Sequence, residues 1–138
     1  MTDTLVDTNV LLDIGKQDPR WVEWSARNMA DAGDNGSLVV NQVVYAELAA
    51  GYGTIEALDA ALQPERFRRE SVPWDAAYAA GLAFLAYRRR GGGRSSPLPD
   101  FFIGAHAAVR GYNLLTRDRG YYRAYFPTLN VVSPETAP

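Results

Sequence analysis

The chain has 138 residues, 47% apolar and 22% charged, with a formal charge of −2, which fits one ordinary soluble domain over 1–138 with a core that needs no staples. It has no cysteine and one histidine, His106, which excludes a disulfide framework, a thiolate zinc site and a cysteine nucleophile and argues against a histidine-rich metal centre. A basic-then-apolar leader and a membrane-length apolar run are both missing, so a cytoplasmic protein without membrane association is expected, and the charge is not that of a general nucleic-acid binder.

Thr4-Leu5-Val6 reads as a short buried strand ending at Asp7, and residues 8–15 as the helix after it. Asp18-Pro19 offers a cap followed by proline, predicting a helix through Trp21 and Trp24 towards Gly33. Residues 37–40 form a second strand, and Asn41 can cap a helix that carries Glu47. A helix over 54–63 and a strand over 67–72 follow, and Pro73 opens a long helix ending in Arg88, Arg89 and Arg90. Residues 91–98, with three glycines and Arg94, read as a mobile loop. Asp100–Arg110 is a helix stopped by Gly111, 113–115 and 129–132 are the last strands, and a tyrosine-rich segment lies between them. Alternating helices and short strands predict an α/β domain built on a central parallel sheet of about five strands flanked by helices. Ligands of such sheets bind beyond the carboxyl ends of the strands, where Asp7 and Asp118 both fall.

Four carboxylates stand out. Asp7 closes a strand, Glu47 interrupts the apolar run Val43–Ala50, Asp100 falls in the first turn of its helix, and Asp118 follows Leu114-Leu115-Thr116. Each has an ordinary explanation alone: a cap, a stripe-edge glutamate, a macrodipole partner and a turn residue respectively. Carboxylates that a fold gathers together repel one another unless a cation or shared protons compensate. Oxygen ligands without cysteine or clustered histidine favour Mg²⁺ or Mn²⁺.

Val6-Asp7-Thr8-Asn9-Val10-Leu11-Leu12 resembles the opening motif of PIN-domain ribonucleases. Val44-Tyr45-Ala46-Glu47-Leu48, Leu98-Pro99-Asp100-Phe101-Phe102-Ile103-Gly104-Ala105 and Leu114-Leu115-Thr116-Arg117-Asp118 resemble the family's second, third and fourth acidic motifs, in order and across nearly the whole chain. The short form is most similar to VapC-type toxins of bacterial toxin–antitoxin pairs.

The resemblance implies a PIN-like single domain that hydrolyses RNA phosphodiesters with Mg²⁺ or Mn²⁺, leaving 5′-phosphate and 3′-hydroxyl ends. It implies Asp7, Asp100 and Asp118 as direct metal ligands, Glu47 as direct or acting through water, and Asn9 and Thr116 as supporting residues. It also implies a VapB-type antitoxin partner and a homodimer. The helices around Trp21–Trp24 and 54–63 offer candidate surfaces for the antitoxin. Arg88–Arg94 could guide an RNA backbone, but a solvated helix end explains those cations slightly better. His106, six residues after Asp100, lies about 120° round the helix and is left out of the site. Two rivals stand beside this reading. A phosphotransfer or phosphatase domain is disfavoured because the only lysine is Lys16 and no second aspartate follows Asp7 by two residues. A non-catalytic module whose acidic cleft receives a partner's arginine, or binds RNA, is the other.

Overall fold

The structure, a computed structural model, describes residues 1–92, 98–118 and 121–138. Its frame is a five-stranded sheet in the order β3-β2-β1-β4-β5, from β1 (Thr4–Val6), β2 (Leu38–Val40), β3 (Phe67–Arg69), β4 (Asn113–Leu115) and β5 (Asn130–Val132). Every neighbouring pair is parallel, with Leu5 opposite Val39 on one side and Leu114 on the other. Parallel strands need crossover segments, and the helices supply them. These are α1 (Thr8–Gly15), α2 (Val22–Asn35), α3 (Gln42–Ala49), α4 (Ile55–Ala61), α5 (Trp74–Arg89), α6 (Leu98–Arg110) and α7 (Tyr121–Tyr125). β1 and β2 are buried at every residue, as strands covered on both faces should be. At the sheet edge, β3 instead turns Arg68 and Arg69 to solvent, which discourages further strand pairing. Among the described residues no helix is long and apolar enough to cross a membrane.

Three boundaries differ from expectation. The helix foreseen from Asp18-Pro19 begins only at Val22, because the Asp18 carboxylate accepts from the backbone N–H groups of Arg20 and Trp21 and forms a turn first. α6 begins at Leu98, two residues early, which places Pro99 in the first turn where its missing N–H costs nothing. β3 stops at Arg69, although the Glu70 N–H still reaches the Val40 carbonyl at 2.9 Å, and the Glu70 side chain accepts from His106 and Tyr112. The predicted loop over 91–98 falls largely outside the described residues, and so do Arg94 and Arg119.

The two tryptophans of this region differ in burial. Trp24 is buried and donates its indole N–H to the Ala137 carbonyl at 2.7 Å. Trp21 is half-buried, with the guanidinium groups of Arg20 and Arg117 over its ring. The pair thus contributes to the protein's own packing, with Trp21 partly open to solvent.

Candidate active site

The loops leaving β1 and β4 separate where strand order reverses around β1, and the acidic residues collect in that crevice. Asp7 follows β1, its backbone N–H bonded to the Leu115 carbonyl of β4 at 2.9 Å. It is 3% exposed. One carboxylate oxygen accepts the Thr8 N–H at 2.8 Å as the cap of α1. The other accepts the Thr116 hydroxyl at 2.8 Å and the Tyr122 hydroxyl at 3.0 Å. The capping role and the crevice role thus reside in the same side chain.

Burial is the main cause that pushes the Asp7 carboxyl up to about 7, with the charges of Asp118 and Asp100 adding to it. Tyr122 is raised as well, chiefly by burial and then by Asp7, Asp100 and Asp118. These mutual influences place Asp7, Asp100 and Asp118 around one spot. Asp100, in the first turn of α6, and Asp118, after β4, are both part-exposed. Glu47 sits on exposed α3 surface, tied to the group by the Thr8 hydroxyl, which donates to it at 2.7 Å.

The segment after β4 is held at three points. The Thr116 oxygen accepts the Asp118 N–H at 3.0 Å, and the Asn9 amide approaches the same oxygen at 3.4 Å. The Asn9 side-chain carbonyl accepts the Arg117 N–H at 3.1 Å. The Arg117 guanidinium reaches back 2.6 Å to buried Asp13 on α1, which also accepts the Ser25 hydroxyl at 2.7 Å. Asp118 therefore follows a residue fixed by backbone and side chain alike.

Sequence reasoning missed Tyr122, Thr8 and the Asp13–Arg117 pair. It also missed Gly104. A methyl group there would lie 2.8 Å from Tyr122 and Phe126, so only glycine lets α7 lie this close to α6 and bring the Tyr122 hydroxyl to Asp7. His106 is buried elsewhere, with Asn41 on one ring nitrogen at 3.0 Å and Glu70 on the other at 2.7 Å. Because Asn41 spends its oxygen capping α3, its amide donates to Nδ1, and the imidazole donates from Nε2 to Glu70.

The donor set suits a hard divalent cation. It is all oxygen, partly open, and contains a buried carboxylate that its acidic neighbours discourage from ionising, a cost that positive charge would offset. Among the described residues no three acidic or histidine side chains are gathered closely enough to hold a metal ion by themselves. Mg²⁺ is usually held by one or two carboxylates, several waters and substrate phosphate, so a loose set is compatible with it. Beside Glu47 runs an apolar groove of about 330 Å³, with Val43, Ala46, Pro99 and Phe102 in its walls.

Comparison with known proteins places this geometry. The family described as PIN domain matches residues 4–127. Plasmid stability protein StbB of Pseudomonas syringae pv. tomato is 28% identical over 142 residues, covering 94% of this chain and 96% of its own. VapBC2 from Rickettsia felis, bound to a DNA fragment from its promoter, superposes with a TM-score of 0.71 at 18% identity, covering 95% of this chain and 98% of that one. VapBC-1 from nontypeable Haemophilus influenzae gives 0.70 at 21% identity, covering 95% and 97%. FitAcB from Neisseria gonorrhoeae gives 0.62 at 19% identity, covering 96% and 98%. The fold expected from the sequence is the fold these structures share.

Proposed function

The chain belongs to the PIN-domain family, and on that footing we propose that it is a VapC-type nuclease toxin, an endoribonuclease that hydrolyses RNA phosphodiesters with Mg²⁺ or Mn²⁺. The observation that carries this reading is Asp7: a buried carboxylate pushed up to about 7, facing Asp118 and Asp100 across a crevice at the strand ends. Its cap and hydrogen bonds do not require an ionisable group beside two other acids, whereas a cation site does. Asp7, Asp100 and Asp118 would hold the ion directly, and Glu47 directly or through water. When bound, the ion supplies positive charge that offsets charge developing on the phosphate oxygens and eases proton loss from the attacking water.

The rest of the work falls to this chain's residues. Thr116 and Tyr122 fix one Asp7 oxygen by two donated hydrogen bonds, so its direction is set before substrate arrives. The Tyr122 hydroxyl stays protonated throughout the physiological range and so can donate to Asp7. Asn9 and Arg117 set the path of the chain into Asp118, and Thr8 holds Glu47 over the crevice. The apolar groove beside Glu47 offers a face for a splayed-out base.

The partners in this proposal are an RNA substrate, a VapB-type antitoxin and a second copy of the chain. VapBC complexes are among the structures of the same fold. The deciding experiment incubates antitoxin-free protein with total RNA and Mg²⁺ or Mn²⁺, against excess EDTA and beside Asp7→Asn. Discrete fragments with 5′-phosphates, lost in EDTA and in the variant, are expected. Folded protein that binds the metal yet leaves every RNA intact would overturn the nuclease reading in favour of a binding module.

A further inference from the structure

His106 stands outside the acidic crevice, fully buried on α6 and bonded at both ring nitrogens. Nε2 donates to Glu70, just after β3, and Nδ1 accepts from the amide of Asn41, just after β2. Asn41 has no freedom in this. Its side-chain oxygen already accepts the Val43 and Val44 N–H groups, both at 3.0 Å, as the cap of α3, so only its amide nitrogen is left to meet the imidazole. The bond ties together two helices that each carry an acid of the crevice, Asp100 on α6 and Glu47 on α3. The same two helices wall the apolar groove, with Val43 and Ala46 on one side and Pro99 and Phe102 on the other.

We propose that His106 is a positioning residue: as the neutral imidazole protonated on Nε2 it holds Asn41 in its capping orientation, and so fixes α3, with Glu47, against α6. No orientation of Asn41 suits another form of the ring. A proton on Nδ1 would face the Asn41 amide donor to donor. Turning that amide over would set its N–H groups against those of Val43 and Val44 instead. Glu47 lies six residues beyond Asn41, about 9 Å along the helix axis. A tilt of about 10° at the cap carries it about 1.5 Å, and a misplacement of about 1 Å can cost on the order of 100-fold in rate. The surroundings favour the required form. Glu70 accepts the Nε2 proton at 2.7 Å and the Tyr112 hydroxyl at 2.8 Å, with Arg110 at 3.4 Å and Arg68 at 3.8 Å from its oxygens. Burial, helped by the Arg110 charge, outweighs the pull of Glu70 and holds the imidazole below its usual 6.5. Acid strong enough to protonate His106 breaks the tie and releases the cap. The consequence for catalysis rests on the nuclease reading above, whereas the placement of α3 does not.

The chain has one histidine, so the full-length protein gives one set of imidazole NMR signals. Long-range nitrogen–proton correlation near neutral pH is expected to show Nε2 protonated and Nδ1 bare. On titration into acid, amide exchange corrected for its intrinsic pH dependence should quicken at Val43 and Val44 in step with the His106 signals. Asn41→Asp keeps a capping oxygen but offers the ring an acceptor, so it should raise the ring's titration midpoint. In RNA cleavage, with folding certified by circular dichroism, His106→Gln can reach Glu70 but presents no acceptor where Nδ1 lies, and should be slower by at least about tenfold. It should add nothing to the loss caused by Glu47→Gln, whereas a merely structural defect would add to it. His106→Asn restores an acceptor at the Nδ1 position and should recover most of the rate. A ring protonated on Nδ1 near neutral pH, or Val43 and Val44 amides indifferent to its titration, would overturn the tie. Equal rates for His106→Gln and His106→Asn would overturn the positioning of Glu47 and leave the nuclease standing. Wild-type protein that cleaves no RNA would remove the nuclease reading, and the NMR data would then decide the placement of α3 by themselves.

Discussion

Asp7→Asn should make the metal-free protein more stable while abolishing its chemistry. The carboxyl rises from the ordinary 3.8 to about 7 on folding. Between about pH 4 and pH 7 the folded chain therefore keeps a proton that the unfolded chain has released, and stability falls as pH rises through that window. Above pH 7 the full cost is roughly 4 kcal/mol at about 1.4 kcal/mol per pH unit. Asparagine carries no ionisation cost. Asparagine has one accepting oxygen, however, which cannot serve both the Thr8 N–H and the Thr116 and Tyr122 hydroxyls as the two carboxylate oxygens do, and a lost buried hydrogen bond returns about 1–3 kcal/mol. The net gain at pH 8 is on the order of 1–3 kcal/mol, several degrees in melting temperature. The assay is urea unfolding of both proteins in EDTA at pH 5 and pH 8. The variant's advantage should widen by roughly 2–3 kcal/mol between the two. A gap that does not change with pH, or a variant less stable at pH 8, would refute the claim that this carboxylate is held in an unfavourable state.

Mn²⁺ should raise the wild-type melting temperature in proportion to the logarithm of its concentration and leave Asp7→Asn nearly unmoved. Because binding must displace a proton from Asp7, calorimetric affinity should drop about tenfold from pH 7.5 to pH 6. Arg117→Met strands the buried Asp13 carboxylate and should cost about 2–4 kcal/mol in urea unfolding, much of it recovered by adding Asp13→Asn. Gly104→Ala raises helix propensity yet should destabilise by about 1–3 kcal/mol, because the added methyl drives Tyr122 and Phe126 off α6. Its cleavage rate should fall as the Tyr122–Asp7 bond is lost.

The strands were readable because short runs such as Leu38-Val39-Val40 are apolar on both faces, a pattern only a covered parallel sheet satisfies. The placement of Asp7 followed from the same logic, since it ends the central strand. What could not be read were partners set by tertiary approach. Tyr122 meets Asp7 across 115 positions and sits in a run of tyrosines with nothing local to single it out. Asp13 looked like a polar residue on an amphipathic helix, and its claim on Arg117 depends on how α1 packs beside the β4 loop. Asp18-Pro19 misled because an aspartate that can cap a helix can equally close a turn before one.

The bonds from Asp7 to Thr116 and to Tyr122 bridge 109 and 115 positions, which has a consequence for biogenesis. The early residues can assemble β1, α1, α2 and β2 as a local unit during translation. The central aspartate then waits, solvated and ordinary, until β4 slots in on its other side and α7 closes over it. Assembly of the acidic crevice therefore awaits the non-local step of folding. The acidic crevice is thus incomplete until nearly all of the chain is available to fold.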